Sequence, residues 1–241
     1  MGFENCNNDC FFVTLLFIYR PIKVGLKWDK ETFKHLLKIG VPIFILAYIE
    51  VFAVTFDKIL LLKFSDLKNV GIYSFAFYAF AFSTLFSTSI ASYVYPKLTY
   101  KYGENNDKRI LWGYVKKITI VLLGVQIPFA IIGYFLIPFL ITLHFPNYIE
   151  GIFPMQILLF AGVLKGSVIG TNVLWSIKKW KYMIIYQVSY ALLFVGFTFL
   201  FVTNYSNKVT GVSLGVLSAN LINLFNGIYL SYKATNEKLN K

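Results

Sequence analysis

Four charged residues stand inside long apolar runs, and the chemistry open to them follows from that setting. Glu50 lies near the middle of the run Ile39–Leu62, and Lys165 lies near the middle of Met155–Leu174. Asp57 and Lys58 sit about a turn and a half from the far end of the first run. A charge at the centre of a membrane helix costs roughly 2.5–3.5 kcal/mol on insertion scales, so such residues face a partner or a polar cavity. An acid and a base at matching depth can pair, which is a purely structural role. Alternatively they line a cavity, in which Lys165 meets an anionic ligand and Glu50 titrates or couples to a cation. The long stem of Lys58 lets its ammonium snorkel to the interface. Asn220, Asn223 and Asn226 form a polar stripe at i, i+3 spacing on the last apolar run. In lipid that stripe must face protein or water, either as interhelical hydrogen bonds or as a cavity lining.

These residues need helices to hold them. Six apolar segments are long enough: Ile39–Leu62, Gly71–Val94, Ile118–Leu143, Met155–Leu174, Met183–Thr203 and Val209–Ser231. About 20 residues at ~1.5 Å each cross ~30 Å of hydrocarbon. Backbone amides cannot stay unpaired in lipid, so the segments are helices, and the ~10-residue alternation of a transmembrane barrel is absent. Composition agrees. The chain is 57% hydrophobic and only 14% charged, with a mean hydropathy of +0.64. That leaves too few polar residues to cover a water-soluble surface. The expected fold class is an all-α integral membrane protein, a six-helix transmembrane bundle.

The formal net charge of +12 is distributed by side. Eighteen of the 23 basic residues fall in 20–38, 97–117, 178–181 and 233–241, whereas the other three connections hold Lys63, Lys68 and Lys208. The richer side is cytoplasmic by the positive-inside rule, with both termini on it. This is topogenic charge facing anionic membrane lipid, not a nucleic-acid footprint. The outer connections KFSDLKN, HFPNYIEG and NYSNK leave no room for an external domain.

Other signals are weaker. Gly162, Gly166 and Gly170 on the fourth segment, and Gly211 and Gly215 on the sixth, give smooth faces for close helix packing. Pro128 and Pro138 interrupt the third segment and favour kinks, while Pro42 and Pro154 are expected in or near first turns. Cys6 and Cys10 read as free thiols. His35 and His144 are isolated, and no metalloprotease, phosphate-loop or Cys/His motif occurs, so no enzyme, cofactor or metal site is expected.

The stretch from Phe33, FKHLLKIGVPIFILAYIEVFAVTFDKILLLKFSDLKNVGIYSFAF, resembles the start of the C-terminal half of oligosaccharide flippases. These are the polysaccharide biosynthesis and O-antigen exporters of the MATE-like superfamily. LLKIGVP, FDKILL and VGIYSFA carry the likeness, and LWSIKKWKYMIIYQV and GVSLGVLSAN resemble that family's last three helices. The resemblance covers residues 11–235. It implies two six-helix bundles around a central cavity, and flipping of an undecaprenyl-diphosphate-linked oligosaccharide across the cell (inner) membrane. It also matches Asp57 and Lys58 to the charged pair ending the family's seventh helix. Phe11–Ile18 then reads as the end of a preceding helix. The expected organisation is an N-terminal cytoplasmic or interfacial segment 1–35, a bundle 36–232 and a tail 233–241, with an N-terminal half missing. A drug/cation antiporter half, a membrane-embedded transferase and an inactive fragment or assembly subunit are the alternatives.

Overall fold

The computed structural model describes residues 28–105, 108–171, 173–174, 177 and 179–237. Cys6, Cys10 and the segment Phe11–Ile18 lie outside them. Six helices are long and apolar enough to cross a membrane. They are α1 (Lys30–Phe64), α2 (Leu67–Asn105), α3 (Lys108–His144), α4 (Ile152–Ser167, which reaches that length together with the 3₁₀ turn that begins at Pro146), α5 (Trp180–Asn204) and α6 (Lys208–Asn236). Short 3₁₀ turns at Pro146–Gly151 and Val168–Thr171 flank α4. No strand occurs among the described residues.

Local chemistry sets several of the helix starts. Asp29 precedes α1 and accepts from the backbone N–H groups of Glu31 and Thr32, both at 3.2 Å. Asp66 accepts from Asn69 N–H at 3.0 Å before α2, and Asn207 accepts from Thr210 N–H at 3.1 Å before α6. Each satisfies donors that a helix start leaves without partners.

Five of the helices, all but α4, overrun the apolar segments at both ends because flanking polar residues extend them. One consequence corrects the reading of Pro42. With α1 starting at Lys30, Pro42 lies in the helix interior rather than in a first turn. Pro96, Pro128 and Pro138 are also inside helices. A second departure is at the fourth segment. A continuous helix is expected to Leu174, but α4 stops at Ser167 and tightens into 3₁₀ at Val168–Thr171.

The chain divides into two units, Met1–Pro42 and Ile43–Lys241. In the first, described from residue 28, Trp28 packs on Phe33 with ring centroids 4.8 Å apart. In the second, α4 and α6 are the most buried helices and α1 and α3 the least. The α5–α6, α2–α4, α4–α6 and α3–α4 pairs carry most of the packing.

Glycines allow the closest approaches. A Cβ on Gly162 would stand 2.7 Å from the Phe80 carbonyl oxygen, and one on Gly215 would stand 2.6 Å from Thr198 Cα. Small residues let α4 meet α2, and α6 meet α5, at backbone distance.

Candidate functional site

The buried apolar residues of the second unit form two large clusters, in sequence order at opposite ends of the helices. One includes Ala53 and Leu61 of α1, Leu158 and Ala161 of α4, Tyr190 and Phe194 of α5, and Val212 and Ala219 of α6. The other includes Leu46 of α1, Val173 and Leu174 beyond α4, Met183 of α5, and Leu230 and Ala234 of α6. Between them on the same elements fall Glu50, Lys165, Gln187 and Asn223. The bundle therefore carries a polar layer between two apolar ones.

At its centre the Lys165 ammonium lies 2.6 Å from Glu50 Oε1. Gln187 Nε2 donates to the other carboxylate oxygen, Oε2, at 2.8 Å. The Lys165 Nζ also sits 3.9 Å from the centroid of the Tyr190 ring. Three helices thus converge: α1 supplies the acid, α4 the base, and α5 an amide and an aromatic face. The arrangement suits each charge, because a carboxylate takes donors on both oxygens and an ammonium is attracted to a ring face. The pair is not sealed. The Lys165 side chain keeps 21% of its exposure and that of Glu50 keeps 38%.

The asparagine stripe of α6 faces α5. Asn223 Nδ2 donates to the Tyr186 hydroxyl at 2.8 Å, and Asn226 Nδ2 donates to Ser189 Oγ at 2.6 Å. Asn220 donates to the Val216 carbonyl at 2.8 Å, and the Tyr190 hydroxyl stands 3.5 Å from its Oδ1. Asn220 and Asn223 are fully buried, and Asn223 Oδ1 has no hydrogen-bond partner among the described residues.

Ser87 and Gln126 bring α2 and α3 into the layer. Gln126 Nε2 donates to Ser87 Oγ beside Gly166, where no side chain intervenes. Gln126 also lines a cavity of about 640 Å³ between α2, α3 and α4, whose walls are otherwise almost wholly apolar, with Phe82, Phe86, Phe129 and Leu136 among them.

Asp57 and Lys58 belong to another level. They are seven and eight positions along α1 from Glu50, or about two turns. Asp57 is fully buried and accepts from the Tyr73 hydroxyl and from the Lys58 backbone N–H, both at 2.5 Å. The Lys58 ammonium lies 5.4 Å from the Phe77 ring centroid. The structure thus joins Glu50 with Lys165, sets Asn220 and Asn223 beside them through Tyr190 and Tyr186, and keeps Asp57 and Lys58 apart.

Gln187, Tyr73, Tyr186, Tyr190, Ser87 and Gln126 are polar-layer and buried-acid neighbours that sequence reasoning did not single out. Gln187 and Gln126 carried a usable signal as amides inside apolar runs. The tyrosines, among 17 in the chain, did not. No group of three His, Cys, Asp or Glu side chains among the described residues could hold a metal ion.

Comparison with known proteins agrees with this architecture. No curated protein matches the chain. A crystal structure described as MATE in the straight conformation superposes with a TM-score of 0.71 at 18% identity, covering 95% of this chain and 54% of that one. At that identity the likeness shows the fold, and this chain spans about half the length of that protein. Residues 3–150 match the family described as polysaccharide biosynthesis protein, a span that contains Glu50, Asp57 and Lys58 but not Lys165. Six apolar membrane-length helices, a MATE-like fold and a family match over more than half of the chain make this protein a member of the polysaccharide biosynthesis protein family.

Proposed function

We propose that this bundle is one half of a flippase that carries an undecaprenyl-diphosphate-linked oligosaccharide across the cell membrane for surface polysaccharide assembly, as in O-antigen export. The observation that carries the reading is the Lys165 ammonium, held by α4 and still partly exposed within a membrane bundle of this family. A diphosphate crossing hydrocarbon needs a cation, and a fixed lysine on a buried helix supplies one. The sugar is met by amide and hydroxyl groups of the polar layer, and the isoprenoid tail stays in lipid.

The coverage of about half of a MATE structure supports a second bundle as partner, forming the opposite wall of an alternating-access cavity. Both termini lie in the cytoplasm, in keeping with eighteen basic residues on that side against three.

Complementation in a flippase-null strain tests the reading. Surface polysaccharide should return when this chain is co-expressed with a six-helix N-terminal half, and not with this chain alone. Purified halves in proteoliposomes should flip lipid-linked sugar. Cation-dependent drug efflux without sugar flipping would overturn the proposal in favour of an antiporter.

A further inference from the structure

The cation available to an anionic ligand already holds an anion. Glu50 presents two carboxylate oxygens to two donors from different helices, Lys165 Nζ at 2.6 Å and Gln187 Nε2 at 2.8 Å. Those donors are fixed more firmly than the acid they hold. Gln187 and Tyr190 are buried on α5, and the Tyr190 ring backs the Lys165 ammonium at 3.9 Å. Glu50 is the more exposed member of the pair and stands on α1, the least buried of the six helices. Its side chain can therefore swing aside without disturbing the packed core, leaving an ammonium and an amide N–H pointing at the vacated position. A phosphate group offers the same pattern of adjacent acceptor oxygens as the carboxylate.

We propose that Glu50 is an internal stand-in for the ligand's phosphate: it occupies the Lys165–Gln187 donors in the empty bundle and is displaced when the diphosphate binds. This rests on the diphosphate reading given above. Occupancy by Glu50 avoids an unpaired ammonium in the membrane between transport events. It also weakens ligand binding, because the incoming anion must displace a charge-assisted hydrogen bond. Release of the ligand is eased by the same competition.

The test uses the full chain in lipid nanodiscs, with farnesyl diphosphate as probe and farnesol as the uncharged control. Glu50→Gln removes the competing charge and should bind farnesyl diphosphate about tenfold tighter than the wild type, with farnesol unchanged. Lys165→Gln should lose the preference for the diphosphate over farnesol. Thermal unfolding gives a second reading, since the unpaired lysine of Glu50→Gln should make its stability rise more steeply with added diphosphate. If Glu50→Gln does not fold, Glu50→Asp keeps the charge but shortens the reach, and should bind several-fold tighter than the wild type. Equal diphosphate affinity of the wild type and either Glu50 variant overturns the stand-in alone. No preference for the diphosphate over farnesol in any of these proteins overturns the diphosphate reading as well.

Discussion

Tyr73 donates its hydroxyl to Oδ2 of Asp57 at 2.5 Å, tying α2 to α1 at a point where both side chains are fully buried. The carboxyl has no ion-pair partner among the described residues, and its other oxygen accepts from the Lys58 backbone N–H. The tyrosine is thus half of what compensates a buried acid. Tyr73→Phe should lower the unfolding free energy by about 1–3 kcal/mol, as loss of a hydrogen bond to a buried polar group does. Denaturant unfolding in micelles would measure it. In a double-mutant cycle, Asp57→Asn should cost less in the Tyr73→Phe background than alone.

The seam between α2 and α4 makes a sharper steric prediction. Gly162→Ala drives a methyl to 2.7 Å from the Phe80 carbonyl oxygen and from Ser83 Cβ, and backbone cannot step aside as a flexible side chain can. A loss of about 1–3 kcal/mol is expected. Gly124→Ala meets nothing within 4 Å and should shift stability by less than about 0.5 kcal/mol. Paired melting curves decide, and equal losses would count against the close approach.

At the C-terminal end of α6, Lys179 bridges to Glu237 at 2.5 Å, and that hydrogen bond holds the Glu237 carboxyl below the ordinary glutamate range. A group whose folded value is depressed adds stability above its unfolded value and loses it as pH falls through the folded value. The end of α6 should therefore fray in acid below the usual glutamate range and be firm above it. Amide exchange at residues 230–237 would report this, and Glu237→Gln should flatten the acid dependence.

Orientation can be checked by thiol labelling of intact cells in a Cys6→Ser, Cys10→Ser background. Lys68→Cys, in the first turn of α2, and Asn147→Cys, in the turn before α4, are both exposed and should react with a membrane-impermeant reagent. Lys117→Cys and Lys233→Cys should react only after permeabilisation. The reverse pattern would invert the topology drawn from the lysines.

The six spans were legible because lipid imposes an apolar length that no other fold class needs. Their ends were not, since Lys30 or Asn236 can extend a helix into water without any hydropathic trace. Pro42 shows the cost: a first-turn position judged from apolarity alone is an interior one once Asp29 is seen to cap the helix. The meeting of Glu50 with Lys165 was within reach as equal depth, but depth does not tell which faces oppose each other. The choice of Gln187 and Tyr190 as their neighbours depends on the rotation of α5, which a helix apolar on all sides does not encode. The early stop of α4 after Lys165 had no signal beyond glycines that also read as packing residues.

The glycine contacts divide the bundle mechanically. With backbone against backbone at Gly162 and at Gly215, α2 is welded to α4 and α5 to α6, and neither pair can shear without its helices first coming apart. The compliance of the protein is left to α1 and α3, the two struts with the least buried surface. Glu50 rides on one of these and Gln126 on the other. Each junction of the polar layer that crosses from a welded pair to a strut, Glu50 to Lys165 and to Gln187 and Gln126 to Ser87, is thus a latch at a point of give.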